Sequence, residues 1–446
     1  MKKLEKLDLS WNQFDGMLPT CLSNLKSLRE LDLSFNQFTG SVSSSLISNL
    51  TSLEYIHLGY NHFTGLFSFS SFANHSKLEV VGLPSNDDNF EVETEYTTWV
   101  PKFQLKVLVL SRCNLNKLTG DVPKFLSHQA YLLKVDLSHN NLKGDLPNWM
   151  LENNRRLEYL DLRNNSFNGQ KFWEMLPCLE RLNLAENAFE GQIPPSIYNR
   201  FHGPIFSTQF NLLWVQVLLL DNNQFTGTLS HGLFNCSGLE FLDISNNYFS
   251  GEIPKWMHGM TSLRTLIMRN NSFHGRIPHE FPDVQECIHG SIPKHVLNPE
   301  FLFTLDLGDN NLSGKIPIQL FLRPIPHCFN NMTFGRGANE FFTFPQDLIL
   351  FFSNRVYFIL FTMRRRYEDP YLQHGPQDEV EFITKGRHCI YKGYILNFMS
   401  VLDLSFNNLT GKIPYELGQL NSIHALNLSH NRLIGSIPRI SQNFTN

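Results

Sequence analysis

Leucines recur along this chain in one frame, LxxLxLxxN, written LRELDLSFN from Leu28 to Asn36. The Asn-type position of the frame falls at 12, 36, 61, 86, 113, 140, 165, 187, 223, 247, 271, 310, 407 and 431, and most intervals are 22 to 27 residues. Within each copy the LxL alternation predicts a short strand that buries its leucines and turns the intervening residue to solvent. Strands centred on residues 7–9, 31–33, 242–244 and 426–428 are expected to line one concave parallel sheet. A unit repeated at such a period buries its apolar side only by stacking on its neighbours, so the count that matters is repeats, not domains.

The other recurrent positions follow from the same stacking. An asparagine amide both donates and accepts, so at the bend of each coil it satisfies backbone groups of its own turn and the next. Cys113 stands in that column as a much weaker hydrogen bonder and predicts a looser rung. Phe14, Phe38, Phe63, Phe167, Phe189, Phe225, Phe249 and Phe273 occur two residues after the Asn and predict an aromatic spine inside the coil. A glycine then permits a sharp bend, often followed by Ile-Pro, as in Gly251-Glu252-Ile253-Pro254 and Gly411-Lys412-Ile413-Pro414.

This GxIP variant resembles the plant-specific class of leucine-rich repeats found in receptor-like kinases, receptor-like proteins and cell-wall inhibitor proteins. The resemblance implies an α/β repeat solenoid, a right-handed superhelix with a concave parallel β-sheet, interrupted by an island. The corresponding boundaries are repeats over 1–328, an island over 329–398 and further repeats over 399–446. Between Asn310 and Asn407 lie 97 positions, and the passage running from Glu379 into the next repeat resembles the re-entry from the island of plant receptor-like proteins. Glu381, Thr384, Lys385, Arg387, Tyr391, Lys392 and Gly393 carry that match; in steroid- and peptide-sensing members the island helps to form the ligand site. A disordered insertion is the alternative, against which its aromatic content argues.

Two other long intervals look like damage. FHGPIF at Phe201 and IHGSIP at Ile288 are second halves of repeats without their strand halves, and RPIPHCFNN at Arg323 looks like a third. Irregular packing and broken strand spacing are therefore expected near 199–214 and 285–300. A shortened gene or flawed gene model is one explanation, and the absence of a signal-like leader, caps and membrane span fits it. The most apolar stretch, Leu348–Met363, contains Asn354 and Arg355 and falls short of the ~20 apolar residues of a membrane span.

Charge and chemistry narrow the function. With 37 basic and 41 acidic residues the net charge is −4, which gives no footprint for nucleic acid. The 7 cysteines are scattered singly, without metal-ligand spacing, and no metal or cofactor is implied. Cys21, Cys113 and Cys236 are expected as small core residues. No GxSxG, HExxH, HRDxxxxN or phosphate loop is present, so the chain is read as non-enzymatic.

The candidate contacts lie where the strand face departs from its background. Asp8, Asp32, Asp136, Asp161, Asp243, Asp306 and Asp403 occupy the position between the strand leucines and are read as solvated. Trp11, Phe35 and Tyr60 share one offset in three successive repeats and should stack into an exposed strip beside Tyr55 and His57, a candidate anchor for a peptide or partner. Arg112, Arg163, Arg181 and Arg269 sit at strand-face offsets where guanidinium forks grip carboxylates, and Lys385 and Arg387 lie beside the island re-entry. Sequons at Asn49, Asn74, Asn164, Asn235, Asn270, Asn311, Asn331, Asn408, Asn427 and Asn443 suit a glycosylated ectodomain. The resemblance implies a kinase-lacking plasma-membrane receptor, its ligand-binding part on the extracellular face. It would sense an extracellular peptide or microbial ligand and signal through a partner receptor-like kinase or co-receptor. A secreted inhibitor of a pathogen's wall-degrading enzyme and a non-functional remnant are the alternatives.

Overall fold

The computed structural model describes residues 3–85, 88–95, 99–147, 150, 152–169, 178–193, 214–260, 262–278, 304–317, 379–384, 387–392, 401–415 and 425–438. The chain divides into two compact units near residues 215–224. In the first, eight three-residue strands from Lys6–Asp8 to Arg181–Asn183 form one parallel sheet in sequence order. In the second, Phe241–Asp243, Thr265–Ile267, Thr304–Asp306, Val401–Asp403 and Ala425–Asn427 do the same. Each strand pairs its neighbour at the same offset, Leu31 on Ile56 and Leu305 on Leu402, because a slip of one residue would turn the buried leucines outward. Each unit is thus a parallel-strand solenoid, matching the predicted class. Helical content is slight: among the described residues α-helix is found at Ser44–Ser48 and at 150 and 152, and the other helical turns are 3-10.

The asparagine column works as a clasp between turns. Asn61 Nδ2 donates to the carbonyls of Leu58 and Leu33, both at 2.9 Å, while its Oδ1 accepts the Phe38 N–H at 3.1 Å. Asn407 repeats the arrangement in the second unit with Leu404, Leu307 and Leu312 at 3.3, 2.9 and 2.9 Å. Cys113 offers only its thiol, 3.1 Å from the Leu110 carbonyl of its own turn and 3.9 Å from Asn140 Oδ1. That is the weaker rung its sulfur predicts.

The phenylalanine spine also forms. Phe14, Phe38 and Phe63 follow one another at 6.1 and 6.3 Å, and Phe225, Phe249 and Phe273 at 6.0 and 6.4 Å. Burial of each covered ring stabilises the coil by about 1.5–3 kcal/mol; Phe14, expected inside the coil, is instead 44% exposed because no turn covers it on its outer side among the described residues. After it the chain pairs a second time, a feature the repeat pattern did not suggest. Tyr248–Glu252, Ser272–Arg276, Asn311–Gly314 and Asn408–Gly411 form a second parallel ladder. Gly251 ends that passage at φ 89°, where a side chain would be strained. Pro254 then precedes the 3-10 helix Lys255–Gly259, as Pro19 and Pro123 precede Thr20–Asn24 and Lys124–His128.

Two expectations are corrected, and the one placed near 199–214 and 285–300 falls outside the described residues, although Thr265–Ile267 pairs in register with Thr304–Asp306 across the second interval. Where a strand half is missing from the sequence, the complete strands on either side become neighbours in the stack; residues 199–213 and 285–300 themselves lie outside the described residues. Cys21 is exposed, not a core residue, while Cys113 and Cys236 are buried. Of the strand aspartates read as solvated, Asp32, Asp161, Asp243, Asp306 and Asp403 are buried. Neighbouring strands stand so close that the side chains in adjacent rows cover each carboxylate. Of residues 329–398, expected as an island, those described form an antiparallel pair, Glu379–Thr384 with Arg387–Lys392. Leu348–Met363 lies outside the described residues, and among those described no helix is long and apolar enough to cross a membrane.

Candidate functional site

The residue before the Asn-type position adopts a left-handed backbone in most of the described turns. Trp11, Phe35, Tyr60, Arg112, His139, Asn164 and Glu186 in the first unit have φ between 51° and 57°, and Asn246, Asn270, Asp309, Phe406 and His430 repeat it in the second at 48° to 53°. Asn and Asp tolerate that conformation through local hydrogen bonding; bulky side chains do not. The aromatic residues at 11, 35 and 60 are therefore not what the backbone prefers. They stack as their shared offset predicts, Trp11 on Phe35 at 3.8 Å and 15°, Phe35 on Tyr60 at 4.3 Å and 18°. All three are half-buried. With Asn12, Gln13, Asn36, Gln37, Asn61 and His62 they line a shallow open recess.

Beside this ladder lies a polar cluster on the strand face. Asp32 Oδ1 accepts from the Ser34 N–H and hydroxyl at 3.0 and 2.6 Å, and its Oδ2 accepts from the Tyr55 hydroxyl at 3.0 Å. His57 is buried, not exposed as expected, with Nδ1 3.8 Å from Asp32 Oδ1 and no hydrogen-bond partner among the described residues. Burial resists ionisation of Asp32, but His57 and Ser34 outweigh it and hold the carboxyl below its ordinary range. The imidazole occupies space left by Gly82, where an added Cβ would lie 2.0 Å from His57 Cδ2.

The arginines divide. Arg163 Nη2 pairs with Glu186 at 2.6 Å. Arg269 bonds Asp309 at 2.5 Å and lies 3.5 Å from Asp403 and 4.0 Å from Asp306, so its fork is occupied within the protein. Arg181 stands 5.9 Å from the Tyr159 ring, against which Lys134 Nζ also packs at 4.4 Å. Arg112 is exposed, with no salt bridge among the described residues. Burial and the adjacent Asp136 push Asp161 up to about 7, and burial with Asp403 pushes Asp306 to about 7. Lys385 lies outside the described residues, and Arg387 is placed by its backbone pairing with Thr384.

The sequons also differ in setting. Asn49 and Asn74 are exposed. Asn164 meets His139 Nδ1 at 2.9 Å, Asn270 donates to Asn246 at 2.8 Å, and Asn427 to Asp403 at 2.9 Å. Asn408 bonds Asn311, Asn235 ends a 3-10 helix, and Asn331 and Asn443 lie outside the described residues. One stacked pair escaped the sequence reading: Phe406 and His430, 3.9 Å apart and 16° from parallel. They occupy the column of Trp11, so following that column to its end would have found them.

Comparison with known proteins gives the same repeat. Models described as "Leucine rich repeat" match residues 1–38 and 215–273, and 27–50, 156–176, 178–200, 399–420 and 422–444. Receptor-like protein 14 of Arabidopsis thaliana is 46% identical over 197 residues, covering 44% of this chain and 20% of that protein. Receptor-like protein 13 of the same plant is 40% identical over 160 residues, 28% of this chain and 14% of that protein. The chain thus matches a fifth or less of the length of these relatives. Among solved structures, PEPR1–AtPEP1 superposes with TM-score 0.61 at 23% identity, covering 96% of this chain and 49% of that one. The Arabidopsis HAESA ectodomain in complex with an IDA peptide hormone gives 0.54 at 23% identity, covering 98% and 59%. The repeat models thus match parts of the chain, its matched stretches are similar to those of Arabidopsis receptor-like proteins, and its fold is that of leucine-rich-repeat ectodomains.

Proposed function

We propose that this chain is the ligand-binding part of a kinase-lacking cell-surface receptor-like protein. It takes an extracellular peptide or microbial molecule on its strand face and signals through a partner receptor-like kinase, in defence or development. The chain binds and does not catalyse. The observation that carries this reading is the ladder of Trp11, Phe35 and Tyr60, held on left-handed backbone that Asn would occupy at less cost. Aromatic side chains kept against their backbone preference, along an open recess, suit anchoring contacts. The peptide hormone held by the HAESA ectodomain supports a peptide as the class of ligand.

The test replaces Trp11, Phe35 and Tyr60 together by Asn. The full chain and this variant are immobilised and exposed to peptides from plant extracellular fluid, and retained peptides are identified by mass spectrometry. A peptide enriched on the native chain and lost at least about tenfold from a variant with an unchanged melting temperature supports the reading, each lost anchor being worth about 1 kcal/mol or more. Identical retention by both chains overturns the ladder as the site.

A further inference from the structure

The second unit carries a polar notch remote in sequence from that ladder. Arg269, Gly308 and Ser405 follow the buried Met268, Leu307 and Leu404, at one offset in three strands that pair in register, Thr265–Ile267, Thr304–Asp306 and Val401–Asp403. Gly308 leaves a gap in that row. A Cβ added there would lie 3.1 Å from Asp306 Oδ1, 3.2 Å from Asp403 Oδ1 and 3.4 Å from Ser405 Oγ, so polar atoms wall the gap. Asp306, Asp403 and Ser405 are all buried.

Ser405 departs from its counterparts. In the other described turns with this pair of residues the serine hydroxyl donates to the aspartate two places before it, at 2.6 Å for Ser34 on Asp32 and 2.7 Å for Ser10, Ser138 and Ser245 on Asp8, Asp136 and Asp243. The Ser405 hydroxyl has no hydrogen-bond partner among the described residues, and neither have Asp306 Oδ2 and Arg269 Nη1, although all three atoms are buried. Such groups cost free energy when left unmade, and three at one place point to a partner from outside the chain. Arg269 shows its chemistry. The arginine fork, occupied within the protein, is bonded at one end only: Nη2 meets Asp309 at 2.5 Å, while Nη1 lies 3.5 Å from Asp403 Oδ2 and 4.0 Å from Asp306 Oδ2, too far for hydrogen bonds. One guanidinium thus faces three carboxylates, and turning about the Asp309 contact uncovers the notch without breaking a bond of Nη1.

We propose that the notch at Gly308 receives a cationic side chain, lysine or arginine, of a peptide ligand, with Asp306, Asp403 and Ser405 as its acceptors and Arg269 as its lid. The incoming cation takes the place of Nη1 and makes the short charge-assisted bonds that Nη1 does not. The surplus of carboxylates over guanidinium favours it above a neutral group of the same shape. This inference rests on the reading of the chain as a peptide-binding ectodomain and gives that ligand a charge.

The experiment immobilises the full chain at pH 8, above the value near 7 to which burial and Asp403 push Asp306. It is exposed to random heptapeptide pools whose central residue is fixed as arginine, lysine or citrulline, the neutral isostere of arginine. Retained peptide is measured by mass spectrometry for the native chain and for Arg269→Gln, Asp306→Asn and Ser405→Ala, with the melting temperature of each. The arginine and lysine pools should be retained about tenfold or more over citrulline, a ratio that rises in Arg269→Gln and falls towards one in Asp306→Asn. If Asp306→Asn folds poorly, Ser405→Ala, which removes a hydroxyl with no bond to lose, should lower the same ratio. A cation preference unchanged by Asp306→Asn and Ser405→Ala overturns the notch and puts the cation elsewhere on the chain. No cation preference in either native or Arg269→Gln overturns it as well. The ladder is intact in all these variants, so both failures leave the ladder test standing; retention of no peptide at all, cationic or neutral, overturns the peptide-binding reading together with the notch.

Discussion

At the scale of single residues, the column before each Asn sets two requirements against each other. Its backbone is left-handed, which Asn164, Asn246, Asn270 and Asp309 accept readily, yet Trp11, Phe35 and Tyr60 occupy it as a stack. Their shared offset made the stacking legible in the sequence; the sign of φ did not show, since no glycine marks it. The asparagine clasp was legible too, because an amide at every bend has only the backbone to serve. It gives a direct prediction at the exception. Cys113→Asn should restore donation to its own and the preceding turn and raise stability by about 1 kcal/mol, read as an increased melting temperature. Burial also pushes the Cys113 thiol up, so its loss removes no reactive group.

At the scale of strands, the sequence specified which residues share a face but not which of them meet. Arg163 finds Glu186 one repeat onward, and Arg269 reaches Asp309 and Asp403 across an irregular interval no fixed period anticipates. Burial of the strand aspartates was illegible for a related reason: coverage comes from neighbouring rows, whose side chains the repeat leaves variable. Gly82 illustrates the dependence of one row on the next. Gly82→Val should displace the His57 ring from Asp32, costing about 1–3 kcal/mol through overpacking. The melting temperature and the His57 resonances in an NMR pH titration check this, and an unmoved ring would show that the neighbouring strand gives way instead.

For the whole molecule the buried carboxyls set the response to pH. Asp161 and Asp306 titrate near 7 and Asp221 near 6, all raised by burial above the ordinary value of 3.8. The folded state therefore binds more protons than the unfolded one across this range, and stability falls as pH rises from about 4 to 7 and then levels. Asp32 acts oppositely, its contribution being lost as pH falls below about 4. Thermal unfolding should give a lower midpoint at pH 8 than at pH 5, and Asp306→Asn should flatten that difference by up to a few kcal/mol. A midpoint that rises with pH over the same range would contradict these assignments.

The direct pairing of Thr304–Asp306 with Val401–Asp403, in register although residues 307–400 come between them, separates two kinds of sequence history. Arg269, ahead of the intervening passage, lies 3.5 Å from Asp403 beyond it, so the two margins are held to each other by ionic as well as backbone contacts. Doubling the length of a flexible segment between such fixed ends adds only about 0.6 kcal/mol of closure cost. Because Asn311–Gly314 also belongs to that seam, the expectation applies to the sequence between residues 317 and 401: changes of its length should leave the flanking turns paired, read as an unchanged melting temperature.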